Sequence, residues 1–461
     1  MALNPSEQQF REEQDSMGPV RVPAEAYYGS QTQRAVDNGM RSRMKPPIAL
    51  IHALALIKRC AAEVNSRLGL LEPRLSEAIT QAAEEVMGGR FDDQFVVDLF
   101  QTGSGTSTNM NMNEVLASRA NEILTGQRGG RDPVHPNDHV NLGQSSNDVI
   151  PTALHVASSR TIHGVLLPAL SRLYQTLAHK SLAFGAIRKI GRTHLQDAVP
   201  MTLGQAFSGF ARQIELGQDR ITAVLPRLTE LALGGTAVGS GLNAHPDFAP
   251  QTIAQISAVT RIDFVEARNH FEAQAARDAA VETSGALKTV AVSLVKIAND
   301  IRWLGSGPRC GIGELKIPAL QPGSSIMPGK VNPVIPETVI QAAYQVMGND
   351  TAITLAGQAG NFELNVTLPL IAHNLLQSMQ LLAGAGRLLA DRCIQELQAD
   401  AERCNHFIER SLALVTGLVP LIGYDRAAAL AKRAYNENKT VRQVVLEEKI
   451  IPAEKLDPLL G

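Results

Sequence analysis

Ser324, Ser325, Lys330 and Asn332 fall within one short run, Gly323-Ser324-Ser325-Ile326-Met327-Pro328-Gly329-Lys330-Val331-Asn332. Two hydroxyls, an ammonium and an amide this close together suit recognition of a small carboxylate. A hydroxyl beside a fixed cation is also a place where a proton can be taken from carbon. Gly323 and Gly329 permit φ > 0 and Pro328 fixes its own φ, so the run reads as a shaped loop, not a helix or strand. A phosphate-cradling P-loop fits poorly. Five residues separate Gly323 from Gly329-Lys330 where that motif needs four, and Val331 follows the lysine where it needs Ser or Thr.

Three further segments are dense in neutral hydrogen-bond donors. They are Gln101 to Asn109 (with Ser104, Gly105 and Thr106), His135-Pro136-Asn137-Asp138 followed by Gln144 to Asp148 (with Ser145, Ser146 and Asn147), and Gly191 to Ala198 (with Thr193 and His194). Each has a bland reading. Asn137, Asp138, Ser146 and Asp148 could cap helices, Ser104 and Thr106 could fix a turn, and His194 could be a core histidine. Four such breaks in one chain are harder to dismiss together. His135 and His139 are four apart, but Pro136 disrupts a helical HxxxH reading and no Glu sits as in a zincin, so neither a metal nor another cofactor is expected.

The elements that must position these breaks are helical. Hydrophobic residues make up 44% of the 461, ample for a core, while aromatics are only 4%. That favours Ala/Leu-type helix packing over stacking surfaces for single-stranded nucleic acid. Lys plus Arg number 43 against 45 Asp plus Glu, so the chain carries no basic field for nucleic acid, and an anionic substrate must be caught locally. Ile48 to Leu68, Ala286 to Leu304, Thr338 to Met347 and Leu370 to Leu397 read as helices, the last with weak points at Gly384 and Gly386. Leu166, Leu170, Leu173 and Leu177 mark one apolar face. Apolar residues on several faces of these long patterns predict a bundle that packs against other subunits. Val20-Arg21-Val22-Pro23 reads as extended, and Gly103–Asn113 and Gly126–Asn141 as loops or caps. The resulting division is a mixed, mainly helical region over 1–143, a central long-helix bundle over 144–400, and a small helical cap over 401–461, split at Gly423 and Pro452. Four scattered cysteines, a polar Met1–Asp15 without a secretory core, and no uninterrupted apolar span predict a cytoplasmic protein with no membrane partner.

The segments Gly103-Ser104-Gly105-Thr106, Gly191-Arg192-Thr193-His194 and Gly323 to Asn332 resemble the three signature regions of the fumarase/aspartase superfamily. Leu233 to Gly239, Ser306-Gly307-Pro308-Arg309 and Gly360 to Asn365 extend the resemblance over nearly the whole chain. Within the superfamily the chain looks like the iron-independent class II fumarases. The aspartate ammonia-lyase branch typically has Gln at His194, Ala at Gly329 and Asn at His135. Pro333 to Glu337 looks more like the aspartase form, and Asp132 stands where some fumarases carry Arg.

The resemblance implies a mainly α fold, an elongated three-domain subunit whose long-helix bundle joins a twenty-helix core in a homotetramer. It implies reversible anti addition of water to fumarate, giving (S)-malate, as in the tricarboxylic acid cycle. It also implies active sites shared by three subunits. By family analogy Ser324 is the base and His194 the acid, with Glu337 hydrogen-bonded to His194. The substrate dicarboxylate is implied to bind Ser104, Gly105, Thr106, Ser145, Ser146, Asn147, Thr193, Ser325, Lys330, Val331 and Asn332. A secondary dicarboxylate site maps to His135, Pro136, Asn137 and Asp138. Aspartate ammonia-lyase activity is the alternative, against which His194 argues.

Overall fold

Leucine and alanine spacing over residues 48–67 becomes a helix, Ile48–Arg67, whose Leu50, Ile51, Leu54, Ile57, Ala61 and Val64 are all buried. The structure, a computed structural model, describes residues 9–452 and 456. The expectation for Met1–Asp15 falls partly on residues outside that set. Its described part, Phe10–Asp15, is a strand paired antiparallel with Gly18–Pro23, which contains the expected extended stretch. The fold is mainly helical, and its sheets are all two-stranded among the described residues.

The chain divides into two compact units. The first comprises Met1–Pro168, Asp219–Ala291 and Tyr344–Ala383. In it, Ile48–Arg67 packs against Pro73–Met87, Ser146–Thr161 and Phe248–Thr260. Of Gly103–Asn113, whose Gly and Asn content reads as loop or cap, only Gly103–Gly105 is that. A helix, Thr106–Thr125, begins after Gly105, which takes φ 74°. The asparagines are tolerated inside it because each finds a partner across the core: Asn109 and Asn113 donate to Asn141 Oδ1, and Asn111 donates to Gln94 O. Breaker composition misleads wherever tertiary partners satisfy the polar side chains.

The second unit comprises Ala169–Gln218, Val292–Ala343 and Gly384–Gly461. It holds the antiparallel hairpin Arg188–Thr193/Gln196–Thr202. Beneath the hairpin, fully buried Glu314 accepts both terminal nitrogens of Arg192 (2.8 and 3.1 Å) and faces Lys189 at 3.4 Å. Burial holds the Lys189 ammonium below its ordinary range, with Glu314 opposing the shift. The C-terminal helices Ala401–Arg410, Tyr424–Asn436 and Val441–Glu447 enclose a core running from Ile408 to Leu456. Gly423, at φ 77°, separates two of the short helices there as expected.

The long helical patterns are real: Asp278–Leu304 and Val334–Gly357 run past their expected bounds, while Leu368–Leu389 stops short of the expected Leu397 and gives way to a wider helical turn over Ala390–Ile394. Gly384 and Gly386 do not interrupt Leu368–Leu389. At Gly386 an added Cβ would lie 3.6 Å from Ala169 O, an ordinary van der Waals contact, so no steric demand for glycine arises there. Leu166, Leu170, Leu173 and Leu177 are all fully buried. None of the described helices is long and apolar enough to cross a membrane.

Candidate functional site

In the first unit the predicted donors converge on two helix N-termini. Ser104 Oγ lies 2.7 Å from Thr106 Oγ1, which lies 2.6 Å from Ser146 Oγ. The three hydroxyls form a relay between the starts of Thr106–Thr125 and Ser146–Thr161. Ser145 is the N-cap of the second helix, its hydroxyl accepting the Asn147 amide at 3.2 Å, and Asp148 completes a reciprocal capping box. Sequence reading had Ser146 and Asp148 as possible caps; the cap is one residue earlier. Asn147 Nδ2 donates to Ala237 O at 2.8 Å. Two helix starts and largely covered hydroxyls give a region of positive potential suited to a carboxylate.

Gly103 locks this region to Asn365–Leu368. A Cβ added there would fall 1.6 Å from Val366 O, and Gly103 O accepts the Leu368 amide at 2.9 Å. Gly103→Ala is therefore expected to cost about 3 kcal/mol or more by forcing two backbones apart, seen as a lowered midpoint in thermal unfolding.

The remaining donors lie in the second unit. Thr193 pairs with Gln196, leaving His194 and Leu195 as a two-residue loop with φ of 56° and 61°. Such a turn ordinarily takes Asn-Gly. Two non-glycine residues held there, one an exposed histidine, mark strain of the kind that accompanies function.

The 323–332 run is a closed loop, as expected. Gly323 N donates to Lys330 O at 2.8 Å, Asn332 Nδ2 donates to Gly323 O at 2.6 Å, and Lys330 Nζ donates to Asn332 Oδ1 at 2.8 Å. A Cβ on Gly323 would sit 2.5 Å from Lys330 O, so only glycine permits this closure. Ser324 Oγ accepts the amides of Ile326 and Met327 at 3.2 and 3.1 Å. Two backbone dipoles aimed at one hydroxyl oxygen favour negative charge on it. Ser325 and Val331 are exposed on the same loop. Lys330, Asn332 and Glu337 border a cavity of about 440 Å³ with Arg302 and Trp303. Glu337 does not bond His194 within the chain; its carboxylate lies 4.0 Å from the Arg302 guanidinium.

His135 is itself the N-cap of the turn Pro136–Val140. Its Nδ1 accepts the amides of Asn137 and Asp138 at 3.2 and 3.1 Å. The ring proton therefore sits on Nε2, and Asp138, 3.3 Å from Nδ1, gains no hydrogen bond from it. Burial, helped by Arg131 and His139, holds this imidazole below its ordinary pKa. Asn137 and Asp138, expected as possible caps, are exposed instead.

Sequence reasoning missed Lys58, Asn141 and the inward role of Asp148. Lys58 is fully buried, donating to Asn141 Oδ1 and Gln144 Oε1, each at 2.9 Å. Burial pushes its ammonium down to about 7, and burial pushes the Asp148 carboxyl up to about 6. The available signal was a lysine on the apolar face of Ile48–Arg67.

The family model for lyases matches residues 18–348, and the model for the fumarase C C-terminus matches residues 414–461. A Nitrosomonas europaea protein named fumarate hydratase class II is 55% identical over 449 residues, covering 97% of both chains. One of that name from Mycobacterium tuberculosis is 54% identical over 452 residues, covering 98% of this chain and 94% of its own. Among solved structures, a class II fumarase from Schistosoma mansoni superposes with a TM-score of 0.95 at 42% identity, covering 98% of each chain. The native form of a Brucella melitensis fumarate lyase:delta crystallin gives 0.88 at 45% identity, covering 95% of this chain and all of its own.

Proposed function

The chain belongs to the lyase family that matches its residues 18–348, and from that premise we propose that it catalyses the reversible hydration of fumarate to (S)-malate. The observation that carries this reading is identity above one half, over nearly the full length, to proteins named class II fumarate hydratase. The chemistry of the chain's own residues agrees with it.

In the malate direction Ser324, as its alkoxide, takes a proton from the carbon next to a carboxylate. The electron pair left behind delocalises into that carboxylate as an aci-carboxylate. The adjacent C–O bond then breaks, and His194 gives a proton to the departing hydroxyl, directly or through a water. The Ile326 and Met327 amides and Lys330 stabilise the alkoxide. Lys330, Asn332, Thr193 and the Ser145–Asn147 turn hold the developing charge, and Ser104, Gly105 and Thr106 hold the other carboxylate. Ser325 and Val331 complete the substrate contacts. Glu337 tunes His194 from a neighbouring protomer.

The chain assembles as a homotetramer whose sites are shared by three subunits. The support is apolar side chains left bare on loops, Ile326 at 83% and Phe362 at 93% exposure. The division at 1–143, 144–400 and 401–461 is retained as a functional one, supported by the separate core of the last region. His135, Pro136, Asn137 and Asp138 form a secondary dicarboxylate patch, with Nε2–H of His135 as its donor. The compartment is the cytoplasm, consistent with four free cysteines.

Malate and aspartate supplied side by side, with absorbance at the fumarate band, test the reading. Fumarate is expected from malate and not from aspartate. Fumarate from aspartate alone would transfer the chain to the ammonia-lyase branch. Solution mass is expected near four times the 49.5 kDa chain.

A further inference from the structure

Lys58 is among the largest fully buried side chains of the described residues, and it carries a charge. It stands on Ile48–Arg67 among Leu54, Ile57, Ala61 and Ala62, where methionine or leucine would complete the apolar face. An ammonium there loses its hydration and gains two neutral acceptors and the more distant carboxylate of Asp148. Core stability alone does not account for such a choice, because apolar replacements of buried charges are often neutral or stabilising.

Both acceptors belong to the segment that leads into Ser145. Asn141 Oδ1 receives Lys58 together with Asn109 and Asn113, and Asn141 Nδ2 donates to Gln144 O at 3.0 Å. Gln144 Oε1 receives Lys58, while its Nε2 reaches Val140 O and Leu142 O, both at 3.2 Å. On the far side Asp148 accepts the amides of Ser145 (2.9 Å), Gly234 (3.1 Å) and Thr236 (3.0 Å). The turn is thus gripped by a buried cation at its start and a buried anion at its end. Between those grips sit Ser145, Ser146 and Asn147.

We infer that Lys58 is a positioning residue for the dicarboxylate-binding turn Asn141–Asn147, an inference that rests on the fumarate-hydration reading above. Its ammonium fixes Asn141 and Gln144, and these fix the direction in which the Ser145–Asn147 donors face. Lys58 touches no substrate and moves no proton in this scheme. Its contribution passes through the Ser145–Asn147 donors, which meet the ground-state dicarboxylate and its developing charge alike, so its loss should surface in both KM and kcat.

The test is Lys58→Met in the full-length protein, with malate kinetics and competitive inhibition by succinate. KM and the succinate inhibition constant are expected to rise by about tenfold or more, because Gln144 Oε1 loses its donor, Asn141 Oδ1 loses the charged one of its three, and the turn loosens. kcat should fall as well, because the same turn holds the developing charge. A folded variant with unchanged KM and inhibition constant overturns the proposal, and a lowered unfolding midpoint without that change assigns Lys58 to stability alone. If Lys58→Met does not fold, Gln144→Leu decides. It keeps the cation and removes one link to the turn, so a raised KM supports the proposal and an unchanged KM overturns it. Wild-type protein that leaves malate untouched removes the reading of function itself, a result separable from either variant.

Discussion

Replacing Ser324 with alanine is expected to lower kcat for malate dehydration by about 10²- to 10⁴-fold with little change in KM, the range for loss of a positioned proton-transfer group. The hydroxyl oxygen is where two loop amides point, from Ile326 and Met327, and alanine leaves them only water to serve. The loop itself should survive. Its closure is made by Gly323 N to Lys330 O and by Asn332 to Gly323 O, neither of which uses Ser324. Unchanged circular dichroism with a collapsed kcat is therefore the expected pair of observations. A side chain that only bound substrate would give the opposite split, a raised KM with kcat retained. His194→Asn in the same assay separates the two proton-transfer roles, since it leaves the base and removes the acid. A kcat for Ser324→Ala within tenfold of wild type would exclude Ser324 as the base.

How far such a site can be read from one chain depends on the range of the contacts that make it. The loop at Gly323 to Asn332 was legible because its closing contacts are local and its punctuating residues, Gly323, Pro328 and Gly329, each carry a backbone consequence. The long helices were legible because apolar spacing is a property of one segment, and Ile48–Arg67 ends within a residue of its expected boundary. Thr106–Asn113 was misread because asparagines argue against a helix unless partners such as Asn141 and Gln94 are already known. Asp148 was visible as a possible cap, but its bonds to Gly234 and Thr236 join segments far apart in sequence. The need for glycine at position 103 has the same origin, since the obstructing atom is Val366 O. Local chemistry announces itself in composition; the framework that preorganises it is long-range and silent until the chain is folded.

Lys330→Met carries the second large expectation, a fall in kcat of about 10²- to 10³-fold, comparable to deleting one preorganised donor to a developing anion. Unlike Ser324→Ala it should also raise KM, because a fixed cation attracts the ground-state dicarboxylate as well as the more highly charged intermediate. The ammonium lies on an exposed stretch of loop and makes its hydrogen bond to Asn332, while the loop closes through the Lys330 carbonyl. The variant should therefore fold with an unfolding midpoint close to wild type. Lys330→Arg sharpens the reading. A guanidinium keeps the charge but is longer and planar, so it cannot place a compact charge at the same point or bond Asn332 in the same way. If Lys330 acts by geometry as well as by charge, arginine should recover much of the lost KM and little of the lost kcat. Full recovery of both would reduce the residue to a general electrostatic attractor. An unchanged kcat in Lys330→Met would mean that the intermediate's charge is held by the helix starts at Thr106 and Ser146 and by Thr193, with the loop contributing the base alone.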